Sequence, residues 1–453
     1  MFHGLNAESR RWTSTTARGK ERLVILGSGW GGYEVLRRID KKRWDVTVIS
    51  PNGYFNFTPL LAGCAVGTLE LRCAVEPVRK YAPQIRTYQA WCDDIDFKKK
   101  TIKCVSPERS IPYSGSPPIS SSIASSSSSK DHSTSNPSFN LDYDKLVIAV
   151  GAYSQTFNVP GVKEHGMFLR DVRDARAIRS RIIECFEQAS QPHLSDVEKR
   201  KLLNFCIVGG GPTGVEFSAE LYDLIHSDIE THYPDVVKHA RINLYDVSPK
   251  ILGTFDKNLV AYTEKTLTRE GVRIRTSHHV ERVEANKMYV REQGEVPFGL
   301  LVWSTGLAPN PLIETMTGLK KIAKRCIATT SHLNAIQENG EPLEDVWVIG
   351  DAGMIPEQVL PATAQVANQK AKYLTKKLNR IIRDRPSPAP FEFYNQGSLA
   401  YIGDWRAVYD KPQTENSSIE TKQAGRLAWL LWRSAYFTMT LSARIFGRDL
   451  TKF

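Results

Sequence analysis

Long apolar runs are missing from this chain. No stretch of about 18 residues is both apolar and free of charge, so a helix that crosses a bilayer is not expected. Cysteine is sparse. Its seven residues (Cys64, Cys73, Cys92, Cys104, Cys185, Cys206, Cys326) form no C-x-x-C and no paired secretory pattern. Such spacing reads as reduced thiols of an intracellular compartment. No His/Cys cluster has zinc spacing and no calcium-loop pattern occurs, so no metal site is expected. Negative charge is in deficit: 60 Lys and Arg face 49 Asp and Glu, a net charge of +11. Nucleic acid, anionic lipid or an anionic cofactor would each answer that charge. No nucleic-acid motif accompanies it, which leaves lipid and cofactor and no nucleic-acid partner.

What the chain does have is two Gly-rich loops. The first follows Arg22-Leu23-Val24-Ile25-Leu26 and reads Gly27-Ser28-Gly29-Trp30-Gly31-Gly32. The second follows Phe205-Cys206-Ile207-Val208 and reads Gly209-Gly210-Gly211-Pro212-Thr213-Gly214. Each is an apolar strand running through G-x-G-x-x-G into a helix, the context that makes this pattern a dinucleotide fingerprint. The diphosphate would sit at a helix N-terminus, where unpaired N–H groups and the dipole favour anions. Two loops imply two dinucleotides, and so electrons passing from a nicotinamide to a flavin. In the second copy the next strand ends in Asp246, an acid suited to ribose hydroxyls and hostile to a 2′-phosphate. In the first, strand Trp44–Ile49 ends at Ser50, which is either an ordinary strand end or a cofactor contact.

The fold class expected is α/β, with two Rossmann-like dinucleotide-binding domains, one inserted in the other, and a C-terminal membrane-associating segment. Residues 1–20 are basic and Ser/Thr-rich, as in a short mitochondrial transit peptide or a plain disordered tail. The first nucleotide domain is expected over 21–160, interrupted by a Ser/Pro-rich insertion at 106–140 that cannot bury a core. Strands running to Gly151 and Gly306 mark the crossings, giving an inserted domain at 161–299 and a return at 300–385. The segment Val346-Trp347-Val348-Ile349-Gly350-Asp351 offers an acid for ribityl hydroxyls, or a simple strand–turn acid. Farther on, Gln365 and Gln369 share one helix face. They suit a quinone carbonyl, or they are surface amides. Residues 386–453 complete the chain as a membrane or dimerisation region.

With these motifs in place, the chain resembles the type II (alternative, non-proton-pumping) NADH:ubiquinone oxidoreductases of the fungal mitochondrial kind. The resemblance rests on Tyr54-Phe55-Asn56-Phe57-Thr58-Pro59-Leu60-Leu61, Ala364-Gln365-Val366-Ala367-Asn368-Gln369, Leu399-Ala400-Tyr401-Ile402-Gly403 and the final Phe446-Gly447-Arg448-Asp449-Leu450, besides both Gly loops. It implies FAD as cofactor, NADH as substrate, ubiquinone as acceptor and a peripheral place on the mitochondrial inner membrane. Carried onto this chain, it puts Gly27, Gly29, Gly32, Ser50, Gly151, Gly350 and Asp351 on FAD. Thr58, Pro59 and Leu60 fall near its ring. Gly209, Gly211, Gly214, Asp246 and Gly306 fall on NADH, and Gln365 and Gln369 at the quinone. Glu216 is implied at the nicotinamide–flavin stack, with Thr58 and Pro59 as the other catalytic positions. Read without the family, Glu216 is also an acid that suits the start of a helix. Ser after the second strand is common in this family.

The C-terminal stretch 425–453 interleaves Trp429, Trp432, Tyr436 and Phe437 with Arg426, Arg433 and Arg444. Arg433 in its middle argues for a helix lying in the interface rather than spanning. A core helix or a homodimer interface would use the same residues. Relatives usually carry a further aromatic-rich helical stretch before the Phe-Gly-Arg-Asp ending, and here it is missing. A disulfide reductase would need a redox pair such as C-x4-C, whereas Cys64 and Cys73 have eight residues between them. A related flavoprotein with another acceptor, or a flavin-binding signalling protein, are the alternatives that composition leaves open.

Overall fold

The computed structural model describes residues 19–106, 137–411 and 421–439. The expected N-terminal segment up to residue 18, residues 107–136 of the insertion and the chain from 440 onward lie outside the described residues. One boundary moves. Ser138–Asp142 pairs antiparallel with Thr101–Val105, so regular structure resumes before the expected end of the insertion at 140. Phe139 and Leu141 supply the apolar side chains that a polar insertion lacks.

The first sheet begins with β1 (Arg22–Leu26), which leads into α1 (Trp30–Arg38) and β2 (Asp45–Ser50). After α2 (Leu61–Val66) come β3 (Ile85–Gln89) and β4 (Lys145–Ile148). These four strands are parallel, in the order β4-β1-β2-β3. Both faces are covered, as a parallel sheet requires. Leu23 and Ile25 point into the cluster holding Tyr33, Val35 and Leu36 of α1, while Val24 and Leu26 point into a second cluster with Ile102, Leu146 and Ile148. The period-two alternation of a strand thus divides one apolar run between two cores.

The second sheet is built from β5 (Met167–Phe168), β6 (Asn204–Val208), β7 (Arg241–Tyr245), β8 (Arg273–Arg275) and β9 (Leu300–Trp303). Its order is β5-β9-β6-β7-β8, all parallel. Three helices accompany it: α3 (Val172–Ala189), α4 (Pro212–Leu224) and α5 (Lys257–Arg269). Here the expected boundary at 299/300 is corrected. β9 pairs with β6 in the register Phe205↔Leu300 to Val208↔Trp303, so it belongs to this sheet rather than to the returning segment. The helix that follows the second Gly loop is also not uniform. It runs as α4, then makes one π-helical turn at Ile225–Ile229 before Glu230–His232.

The chain then returns to the first sheet through β10 (Asn334–Ile336) and β11 (Pro342–Val348), which extend it as β10-β11-β4. Helix α6 (Ala364–Ile381) packs on α1. The described chain closes with an antiparallel sheet of β12 (Ser398–Tyr401), β13 (Ala407–Lys411) and β14 (Thr421–Gly425), and with α7 (Arg426–Met439). Among the described residues no helix is long and apolar enough to cross a membrane.

The two loops show why their outer glycines are needed. A Cβ on Gly32 would stand 2.0 Å from the Gly27 carbonyl oxygen, and one on Gly214 would stand 1.9 Å from that of Gly209. Each helix sits so close to its strand end that no side chain fits. A Cβ on Gly29 or Gly211, by contrast, meets nothing within 4 Å. Gly32→Ala and Gly214→Ala should therefore each destabilise the protein by about 1–3 kcal/mol through overpacking. Gly29→Ala should leave the urea midpoint near that of the parent protein, measured without added nucleotide.

Candidate active site

Parallel strands end at one edge, so the topology gathers the predicted residues. In the first sheet β11, β4, β1 and β2 are neighbours, and Gly350-Asp351, Gly151, Gly27 and Ser50 follow or end them in that order. In the second, β9, β6 and β7 are neighbours and lead to Gly306, Gly209 and Asp246. Ligands of open α/β sheets bind outside this carboxyl edge. The crossings beside Gly151 and Gly306 are tied together. Tyr153–Ser154 pairs antiparallel with Leu307–Ala308, and Gln155 N–H donates to Gly306 O at 2.8 Å.

Around the first loop, Ser50 is buried and its Oγ lies 2.9 Å from Ser28 Oγ. Ser28 in turn donates to Tyr54 O at 2.8 Å. Ser50 thereby holds the loop against Tyr54–Asn56, the strand that leads to Thr58-Pro59-Leu60. Thr58 is exposed, and its Oγ1 accepts from Trp30 Nε1 at 3.1 Å. Trp30 packs edge-on against Phe55 at 5.1 Å, which places the start of α1 beside Thr58.

Two buried polar atoms nearby have no hydrogen-bond partner among the described residues: Asn56 Oδ1 and Arg170 Nη1. The two residues are joined, since Asn56 Nδ2 donates to Arg170 O at 2.8 Å. Arg170 follows β5 and faces the charges of Asp351 and Asp174, and burial lowers its pKa. Asp351 is raised by burial and partly held down by Arg170 and Lys370. Lys370 is buried on α6, donates to Gly353 O at 3.0 Å and is pushed down to about 8 by burial. Native proteins seldom leave such groups unpaired. An orphan donor, an orphan acceptor and an open space at Gly29 together fit a polar, phosphate-bearing cofactor. Sequence reasoning missed Asn56, Arg170 and Lys370; the one visible signal was the Arg-Asp pair after an apolar Met167-Phe168-Leu169.

At the second loop, Asp246 is already engaged. Its Oδ2 accepts from Gly210 N at 2.5 Å and its Oδ1 from Ser248 N at 2.6 Å. Each carboxylate oxygen accepts more than one bond, so both remain open to hydroxyl donors. Gly211 opens α4 with Pro212 at the first helical position, where its missing N–H costs nothing.

Helix α4 carries a row of acids at i, i+4 and i+7: Glu216, Glu220 and Asp223. This spacing keeps them on one face. Glu216 and Glu220 are buried. Glu216 Oε1 accepts from Tyr401 N at 3.2 Å and from Trp432 Nε1 at 3.3 Å. Thr68 Oγ1 donates to Glu220 at 2.8 Å, and Tyr401 O–H donates to Asp223 at 2.6 Å. Tyr401 thus holds both ends of the row, one by its backbone and one by its ring. Burial pushes Glu216 up to about 8 and Glu220 up to about 7, and each also feels the next acid along. Asp223 is raised for the same reason.

Gln365 and Gln369 do share one face of α6, and both grip the same backbone. Gln365 donates to Gly397 O at 3.2 Å and accepts from Gln396 N at 2.9 Å. Gln369 donates to Tyr394 O at 2.8 Å and accepts from Tyr394 N at 3.0 Å. One N–H and one lone pair stay available on each amide. On α7, Trp432 reaches Glu216 and Trp429 packs edge-on against Trp405 at 4.9 Å, and among its described side chains Leu427, Leu430 and Leu431 are exposed; those of Tyr436 and Phe437 lie outside the described ones. None of the seven cysteines forms a disulfide, and burial pushes Cys64 up to about 12, which keeps it a thiol. Among the described residues no cluster of metal-ligating side chains occurs.

Comparison with known proteins agrees with this arrangement. A family model described as pyridine nucleotide-disulphide oxidoreductase matches residues 21–371, and one described as NDH2 C-terminal domain matches residues 395–447. The chain is 35% identical to an internal alternative NAD(P)H-ubiquinone oxidoreductase of Solanum tuberosum mitochondria, over 97% of this chain and 89% of that one. It is 33% identical to an external alternative NADH-ubiquinone oxidoreductase of Yarrowia lipolytica mitochondria, over 96% and 81%. A solved structure of NDH2 from Plasmodium falciparum in complex with NADH superposes with a TM-score of 0.79 at 28% identity, covering 94% of this chain and 95% of that one. The chain belongs to the pyridine nucleotide-disulphide oxidoreductases and, within them, to the type II alternative NADH dehydrogenases.

Proposed function

We propose that this protein oxidises NADH and reduces ubiquinone through a bound FAD, without pumping protons, as a peripheral enzyme of the mitochondrial inner membrane. The observation that carries the reading is the pair of parallel-sheet edges, each with a phosphate loop whose middle glycine faces open space. FAD, when bound, accepts a hydride from NADH and passes two electrons onward. The chain's own task is alignment and electrostatics.

Gly27, Gly29 and Gly32 hold the FAD diphosphate at the start of α1, with Ser50, Gly151 and Gly350 shaping the edge beside it. Asp351 accepts from the ribityl chain, and Arg170 and Asn56 supply the donor and acceptor that the protein leaves unmatched. Thr58, Pro59 and Leu60 flank the ring. Gly209, Gly211, Gly214 and Gly306 receive the NADH diphosphate, and Asp246 its ribose. Gln365 and Gln369 use their remaining amide groups at the quinone. Glu216 stores a proton for quinone reduction. The hydrogen bonds from Tyr401 and Trp432 both fall on Oε1, which leaves Oε2 the oxygen suited to carry that proton. The leucine face of α7 rests on the lipid surface, and in a homodimer the same face would meet the partner copy.

Nucleotide choice tests the assignment of the second loop. The relatives' names include both NADH and NAD(P)H, so preference here rests on Asp246. Steady-state oxidation with a short-chain ubiquinone should favour NADH strongly. Asp246→Asn keeps an oxygen for Gly210 N and removes the charge that repels a 2′-phosphate. It should raise kcat/KM for NADPH about tenfold, the effect of roughly 1.4 kcal/mol. Equal use of both nucleotides by the parent protein would count against this role.

Glu216 gives a pH signature. Its folded pKa lies near 8 against an ordinary 4.5, so the native state keeps a proton that the unfolded state loses. Stability therefore falls as pH rises between those values, by at most about 1.4 kcal/mol per pH unit for one proton. Glu216→Gln keeps the acceptor for Tyr401 and Trp432 and removes this cost. Relative to the parent, the variant should gain in unfolding temperature from about pH 5 to pH 8. Flavin reoxidation by quinone should slow while flavin reduction by NADH stays near normal. A parallel pH dependence in both proteins would show that Glu216 is ionised in the native state.

A further inference from the structure

A cleft of about 840 Å³ opens along β7 and β8, from Arg241 at the start of β7 to Arg275 at the end of β8, whose carbonyl oxygen accepts from Asp246 N at 3.0 Å. Its walls come from the π-helical turn after α4, the strands β7 and β8, and the end of α5. Its charged lining is Lys238, Arg241, Arg273 and Arg275 against Glu230 and Glu270. The acids do not cancel the bases. The Glu270 side chain is 6% exposed and stands 3.3 Å from Arg406, though neither of its buried carboxylate oxygens has a hydrogen-bond partner among the described residues; four bases still face two acids. Arg275 Nε is buried and has no hydrogen-bond partner among the described residues. Apolar Ile225, Val237 and Ile274 line the same walls.

A chain of contacts links the cleft to α7. Glu270 leads to Arg406, and Arg406 also pairs with Asp404. Between those two stands Trp405, 55% exposed, whose ring meets Trp429 of α7. On the other wall, Tyr222 is followed by Asp223, which accepts from Asp404 N at 3.2 Å. A cationic cleft is therefore linked through Trp405 to α7, where Leu427, Leu430 and Leu431 are exposed.

We propose that this cleft binds the phosphodiester headgroup of an anionic phospholipid, drawn from the membrane on which α7 rests; the proposal builds on the membrane reading above. Guanidinium groups match a phosphodiester with paired N–H donors. The apolar wall suits the glycerol end of the lipid, and the neighbouring leucines and Trp405 suit the interface where its chains remain. A free phosphate would use the bases alone.

The test uses the full-length holoenzyme. Dihexanoyl-phosphatidylglycerol below its micelle concentration probes the cleft without a membrane, with dihexanoyl-phosphatidylcholine and inorganic phosphate alongside. The doubly substituted Lys238→Gln/Arg273→Gln protein removes two exposed charges outside the redox site. The parent should bind the phosphatidylglycerol in preference to the other two, and the double variant should bind it about tenfold or more weakly. Sedimentation with phosphatidylcholine vesicles containing phosphatidylglycerol should weaken too, while NADH–quinone turnover in detergent stays unchanged. Undiminished phosphatidylglycerol binding by the variant overturns the proposal, and so does inorganic phosphate binding as tightly as the lipid. The membrane reading fails separately: Leu427→Ser/Leu430→Ser/Leu431→Ser would leave vesicle binding intact while the soluble lipid still bound the cleft.

Discussion

Two helix N-termini press against two strand ends, and the rest of the architecture depends on that closeness. At Gly32 and Gly214 a single methyl group would overlap a backbone carbonyl. The contact sets the first N–H groups of α1 and α4 beside the carboxyl edge of a parallel sheet. There the dipole and the unpaired donors favour a diphosphate. The middle glycines, Gly29 and Gly211, have no such reason to be glycine inside the protein. Their lack of a side chain answers to something outside it. The same closeness fixes the direction of α4, and so decides where its row of acids points.

That row connects the site to the C-terminal sheet and to α7. Tyr401 bonds Glu216 and Asp223, and Trp432 bonds Glu216 from α7. An acid whose pKa burial raises thus sits where α7 meets the nucleotide-binding sheet. Quinone reduction needs protons as well as electrons, and a carboxyl poised near 8 can release one near neutral pH. The cationic cleft beyond Glu270 lies at the far end of the same helix.

Much of this was legible in the sequence because its signals are local. Apolar runs ending in G-x-G-x-x-G read as parallel strands and helices, and β1 and β6 are such strands. What was not legible depends on pairings between distant residues. Leu300–Trp303 reads equally well as a crossing or as a sheet strand, and only its register with β6 decides. Ser138–Asp142 was hidden behind a polar stretch because its partner lies before the insertion. The orphaned Arg170 and Asn56 have no pattern of their own; they stand out only as buried atoms without partners. Of the aromatic residues expected on a membrane face, Trp429 and Trp432 are partly buried against the core, while Leu427, Leu430 and Leu431 beside them are exposed.

The most direct measurement is anaerobic mixing of the purified protein with NADH, followed by a short-chain ubiquinone, with the flavin absorbance recorded throughout. The account predicts that the absorbance bleaches with NADH and returns with the quinone, one two-electron cycle per chain. A protein without flavin, or a flavin that NADH reduces and ubiquinone cannot reoxidise, would contradict it.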